Sequence, residues 1–176
     1  MKRIVVIGPE STGKSTLCQQ LADHYKTVWC PEYARAYLLE KGMDYHYEDL
    51  DHIAKGQLAL QASVEAQAQN DLYFIDTDMY VMKVWNEVAF EACPAWILKT
   101  IAQTSCDLYL LCNTDLPWTK DELREYPDLK MRQRLFNMYK DIVINSSIPW
   151  LVISGTNEER LHRAISAVDA ITKTNN

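Results

Sequence analysis

"GPESTGKS", residues 8–15, follows the apolar run "RIVVI" (3–7) and leads into "STLCQQLADHY" (15–25), which reads as a helix. The stretch fits G-x-x-x-x-G-K-[ST] in full and lies between a strand and a helix, where its chemistry requires it. Gly8 and Gly13 let backbone N–H groups wrap a phosphate at a helix N-terminus. Lys14 reaches the β- and γ-phosphates, and the Ser15 hydroxyl holds Mg²⁺. Glu10, Ser11 and Thr12 complete the cradle, and Thr16 adds a contact to the α-phosphate. The ligand implied is a nucleoside triphosphate with its magnesium.

Working outward, short β-branched-rich runs recur at 27–30 ("TVWC"), 72–76 ("LYFID"), 106–112 ("CDLYLLC") and 149–154 ("PWLVIS"). Each is nearly continuous in apolar character, as strands buried on both faces must be. Helical patterns lie between them. Leu50, Ala54, Leu58, Ala62 and Ala66 form one i+4 row, and Leu129, Leu135, Met138 and Ile142 another. The expected architecture is α/β: a P-loop fold of the nucleoside- and nucleotide-kinase type. Its five-stranded parallel sheet carries helices on both faces, and ligands sit at the carboxyl ends of the strands. No linker divides the 176 residues, so 1–176 reads as one domain; only the polar, proline-punctuated stretch 113–128 is long enough to be an excursion.

Composition removes several functions. A net charge of −6 with no basic patch argues against nucleic acid. Five cysteines without a C-x-x-C pair argue against a disulfide framework or a zinc site. No apolar span reaches membrane length, which points to a soluble, cytoplasmic protein.

The strand-end acid Asp76 in "FIDTD" is placed to orient Mg²⁺ or to draw a proton from an acceptor hydroxyl, with Asp78 two residues on. The competing reading is that this segment caps the following helix. "CPEYARAYLL" (30–39) presents Glu32, Tyr33 and Arg35 behind the second strand. Pro31 and Glu32 suit a first helical turn, yet the strand should end on the same sheet edge as the cradle, so Glu32 and Arg35 can face an acceptor. Beyond the fourth strand, Arg124 and Arg132 can close a lid (about 113–134) over the transferring group, stabilising charge on its equatorial oxygens. In "SGTNEER", Gly155 and Thr156 can border the adenine. A GTPase would need an N-K-x-D guanine reader, which is absent. A regulatory or AAA-like ATPase without an acceptor usually carries a Glu after the strand-end acid, where Thr77 stands here. A small-molecule kinase needs a cradle, strand-end acids and a lid of arginines, and the sequence offers all three.

These residues resemble the ribosylnicotinamide kinase domain of the NadR type, often grouped with AAA-type P-loop ATPases. The similarity rests on "GPESTGKST", "PEYARAYL", "FIDTD", the W-x-x-D-x-L-R of Trp118, Asp121, Leu123 and Arg124, and Arg132. It implies a kinase using ATP and Mg²⁺ to phosphorylate nicotinamide riboside, with Lys14, Glu32, Asp76, Arg124 and Arg132 catalytic. Ser15 and Asp76 would serve the metal, and Glu32, Tyr33, Arg35, Asp78 and Trp118 the acceptor. No H-x-G-H is present, so the chain reads as the kinase unit without the adenylyltransferase. The resemblance also implies an aromatic just before "EY", where Pro31 stands, with Trp29 two residues earlier; the helix 50–66 offers no second aromatic. Deoxynucleoside kinases have a similar turn, whose glutamate acts as base. Another nucleoside or a vitamin alcohol is therefore the alternative acceptor.

Overall fold

The computed structural model describes residues 1–173. Five strands, β1 (Lys2–Ile7), β2 (Trp29–Cys30), β3 (Leu72–Asp76), β4 (Leu108–Cys112) and β5 (Trp150–Ile153), pair in parallel in the order β2-β3-β1-β4-β5. Around them lie α1 (Lys14–Tyr25), α2 (Tyr33–Lys41), α3 (Tyr47–Glu65), α4 (Met79–Phe90), α5 (Ala95–Gln103), α6 (Leu129–Asn145) and α7 (Asn157–Thr172). The expected α/β P-loop architecture is the one observed. The chain leaves β1 toward one edge and returns to fill the other side of β1, so the crevice of a doubly wound sheet opens above β1, where the cradle sits.

Strand alternation sorts the core. Ile4, Val6, Leu72, Phe74, Leu108 and Leu110 pack against Leu17, Cys18 and Leu21 of α1 and Ala164 and Val168 of α7. Val5, Ile7, Tyr73, Ile75, Tyr109 and Leu111 point the other way, onto Val81 and Val84 of α4 and Leu135, Phe136, Tyr139 and Val143 of α6. A third cluster joins α2, α3, α4 and α5 around Leu38, Leu50, Ile53, Met82 and Ile97. Helix α5 is nine residues long and lies outside the helical rows read from the sequence. The second strand is two residues long rather than four, because Thr27 turns aside: its hydroxyl donates to the Leu72 carbonyl at 2.5 Å. Among the described residues no helix is long and apolar enough to cross a membrane.

Candidate active site

The cradle is fixed from three sides. At Gly8 (φ 144°) an added Cβ would lie 2.7 Å from the Cys112 carbonyl oxygen of β4, so only glycine fits the close approach of the two strand ends. The Thr12 hydroxyl and the Lys14 ammonium both donate to the Pro9 carbonyl, at 2.7 and 3.0 Å, and hold the loop curled. Arg160 of α7, 3% exposed, donates from Nη1 to the Thr12 carbonyl (2.9 Å), from Nε to the Gly155 carbonyl (2.9 Å) and from Nη2 to the Asn113 carbonyl (3.1 Å), and pairs with Asp115. One guanidinium thus ties the cradle to the loops after β4 and β5. Its position in a polar helix gave no sequence signal; only long-range contact reveals it.

Asp76 ends β3 on the face of Leu72 and Phe74, the face covered by α1, and it is fully buried. Its Oδ2 accepts from the Ser15 hydroxyl at 2.5 Å. Burial pushes its carboxyl above the ordinary carboxylate range, opposed by Lys14 and by the Ser15 and Thr77 hydroxyls. Asp78 follows a different course. Thr77 has φ 76°, a left-handed conformation that turns the chain, and Asp78 becomes the N-cap of α4. It accepts from the Tyr80 N–H at 2.9 Å and the Tyr109 hydroxyl at 3.0 Å. It borders a separate cavity of about 200 Å³ beneath α3, α4 and α5, and burial raises its carboxyl to about 6. The capping reading is therefore the geometry found, and Asp78 is not on the wall of the main cavity.

That main cavity, about 480 Å³, runs from residues 8–16 past Glu32 and Arg35 into an apolar recess formed by Leu38, Met43, Val81, Val84, Trp85, Val88, Leu123 and Leu135. Trp29, Trp85, Tyr126 and Tyr139 supply aromatic surface. Aromatic surface therefore reaches the recess from α4, α6 and the loop before α6, elements distant in sequence, and not from residues 50–66. Glu32 is the N-cap of α2 rather than part of its first turn, and its carboxylate makes no hydrogen bond with any described residue. Burial pushes it above the ordinary range. Lys14 opposes this, Asp76 and Glu10 reinforce it, and Arg35 also opposes it.

The segment 113–128 folds down on the cradle, and Glu10 holds it there. The Glu10 carboxylate accepts from the backbone N–H groups of Tyr126 (2.7 Å) and Glu125 (2.9 Å) and from the Trp118 indole (3.3 Å). Arg35 pairs with Asp121 at 3.1 Å, and the Tyr45 hydroxyl donates to Glu125 at 2.9 Å. Arg124 lines the cavity and donates to the Thr119 carbonyl. Arg132, in the first turn of α6, is 5% exposed, and its Nε and Nη1 have no partner among the described residues. Leu135 and Tyr139, at i+3 and i+7 on its face of the helix, line the cavity. A buried guanidinium with two unpartnered nitrogens is matched to an anion.

The geometry therefore gathers Gly8, Glu10, Ser11, Thr12, Gly13, Lys14, Ser15, Thr16, Glu32, Arg35 and Arg124 on one cavity, with Asp76 and Arg132 beside it. It does not bring in the others. Tyr33 packs its ring on Gly56 of α3, Trp118 bonds Glu10, and Gly155 borders a separate cleft on α7. The Thr156 hydroxyl caps α7 by accepting from the Glu159 N–H at 3.4 Å.

Known proteins resemble this chain in sequence and in fold. The profile of a family described as an AAA domain matches residues 3–160. The trifunctional NAD biosynthesis/regulator protein NadR of Escherichia coli (strain K12) is 26% identical over 173 residues, 96% of this chain and 42% of that protein. The chain therefore spans less than half the length of that relative. A crystal structure of NadR protein in complex with NR superposes with a TM-score of 0.80 at 25% identity, over 97% of this chain and 50% of that one. Thymidylate kinase from Ehrlichia chaffeensis shares the fold at a TM-score of 0.68 and 13% identity, over 95% and 98% of the two chains.

Proposed function

Because the chain belongs to this AAA domain family, we propose that its P-loop serves an ATP-dependent kinase that phosphorylates the hydroxyl of a nucleoside-like acceptor, nicotinamide riboside first among candidates. The observation that carries the proposal is the continuity of the cavity: one space joins the phosphate cradle to an aromatic-lined recess, with an unbonded Glu32 on its wall. An ATPase without an acceptor has no use for that recess. The similarity to NadR, including a structure holding NR, supports nicotinamide riboside as the first acceptor to test.

Glu32 takes the hydroxyl proton. Asp76 is fully buried and already engaged with Ser15, which suits it to the metal rather than to the acceptor. The Ser15 hydroxyl and Asp76 carboxylate, 2.5 Å apart at the start of α1, fit a hard cation that keeps several waters. Mg²⁺ bound there would neutralise charge between the β- and γ-phosphates. Lys14 and the cradle N–H groups hold the phosphates, and Arg132 meets the charge that develops on the transferring group. The loop held by Glu10 lies against the cradle, where it would limit the access of water during transfer.

An ADP-release assay across nicotinamide riboside, purine nucleosides and pyrimidine nucleosides tests this, with Lys14→Ala as control. Acceptor-dependent release that vanishes in the control is expected. Rapid ATP hydrolysis that no acceptor accelerates would refute the kinase; transfer to another nucleoside alone would refute nicotinamide riboside and retain the reaction class.

A further inference from the structure

The short link that carries Glu32 has no regular structure of its own to hold it. Strand β2 ends at Cys30 and α2 begins at Tyr33, leaving Pro31 and Glu32 outside both. The carboxylate makes no cap bond of its own. Yet a phosphoryl transfer needs its base held to within a fraction of an ångström.

The side chain that supplies this constraint lies on another element. Gln57, in the middle of α3, is fully buried. Its Oε1 accepts from the Tyr33 N–H at 2.7 Å, and its Nε2 donates to the Pro31 carbonyl at 3.3 Å. Those are backbone groups of the two residues flanking Glu32. The same Nε2 lies 3.5 Å from the Cys30 sulfur, so the end of β2 is included. One residue earlier in α3, Gly56 lets the helix come close enough: a Cβ there would lie 2.2 Å from Tyr33 Cε1. A glycine and a buried carboxamide in a helix interior are each unfavourable locally. Together they dock the Glu32 segment from both sides.

We infer that Gln57 is a positioning residue for phosphoryl transfer: its carboxamide clamps the backbone on both sides of Glu32 and so aims that carboxylate at the acceptor hydroxyl. The inference rests on the reading of Glu32 as base. Gln57 touches no reacting atom and acts only through Glu32. Its removal should therefore slow chemistry only while Glu32 is present, whereas a residue that merely stabilised the fold would act equally in either background.

The test is a double-mutant cycle under single-turnover conditions with ATP and nicotinamide riboside, using wild type, Gln57→Met, Glu32→Gln and the double variant. Methionine keeps most of the volume and removes both hydrogen bonds. Gln57→Met is expected to lower the chemical step about 10- to 100-fold with the KM for ATP unchanged. On the Glu32→Gln background the further loss should be less than about threefold. Gln57→Glu retains the acceptor for the Tyr33 N–H and should recover part of the rate; it also serves if the methionine variant fails to fold. Full activity in Gln57→Met, or an equal loss on both backgrounds, overturns the inference and leaves the kinase standing. A wild-type chain that phosphorylates no acceptor refutes the proposed function instead.

Discussion

Replacing Arg132 with methionine should make the ligand-free protein more stable and the enzyme nearly inactive. The guanidinium is 5% exposed, and two of its nitrogens lack partners among the described residues. Each orphan N–H group costs about 1–3 kcal/mol, and an unpaired buried charge costs several in all. Methionine keeps much of the aliphatic stem, so after packing losses a net gain of about 2 kcal/mol is expected. For a chain of this size that corresponds to a rise in Tm of about 4–8 °C. In the proposed reaction the same substitution removes a cation assigned to the transferring phosphoryl group, for which a loss of about 10³-fold in kcat is the scale. Urea denaturation without ligand and single-turnover phosphorylation measure the two sides. A polyphosphate ligand should stabilise wild type more than the variant, since the variant has lost one of the cations that would meet it. A variant that is less stable without ligand and keeps its kcat would refute the assignment of Arg132 to an anion.

Three further outcomes follow from the same geometry. Glu32→Gln should lower the chemical step about 10²- to 10⁴-fold with ATP binding retained, whereas Asp76→Asn should chiefly raise the Mg²⁺ concentration required, both read by single-turnover kinetics with metal titration. Asp78→Asn should keep activity, because Asp78 lies on a different cavity. Its folded carboxyl titrates at about 6, above the unfolded value, so the stability it lends is complete below about pH 4 and is lost as pH rises through about 6. Urea midpoints of wild type relative to Asp78→Asn should accordingly fall over that window and level off above it. Glu10→Gln weakens the charged acceptor that holds the 113–128 segment, and tryptic cleavage at Lys120 or Arg124 should accelerate several-fold; an unchanged cleavage rate would show that Glu10 does not latch the loop.

The phosphate cradle was legible in sequence because its chemistry is local. Eight consecutive residues supply the loop, the lysine and the hydroxyl, and the flanking strand and helix announce themselves by pattern. The strand-end acid Asp76 was legible for the same reason: alternation from Leu72 and Phe74 places it on the α1 face. Asp78 was not. Two residues on in an ideal strand it would share that face, but the left-handed turn at Thr77 sends it to cap α4, and backbone reversal at one residue leaves no periodic trace.

Periodicity and contiguous residues were enough for the α/β class, the parallel sheet and the cradle. How those pieces meet is a matter of long-range packing. Trp85 of α4, Tyr126 before α6 and Tyr139 within it converge on one recess; Arg160 reaches across three loops to the cradle; Glu10 bonds backbone more than a hundred residues away; Gln57 grips the chain on both sides of Glu32. None of these pairings has a spacing to read, since each arises where separate elements are pressed together by burial of their apolar faces, and the polar groups between them must then find partners across the gap.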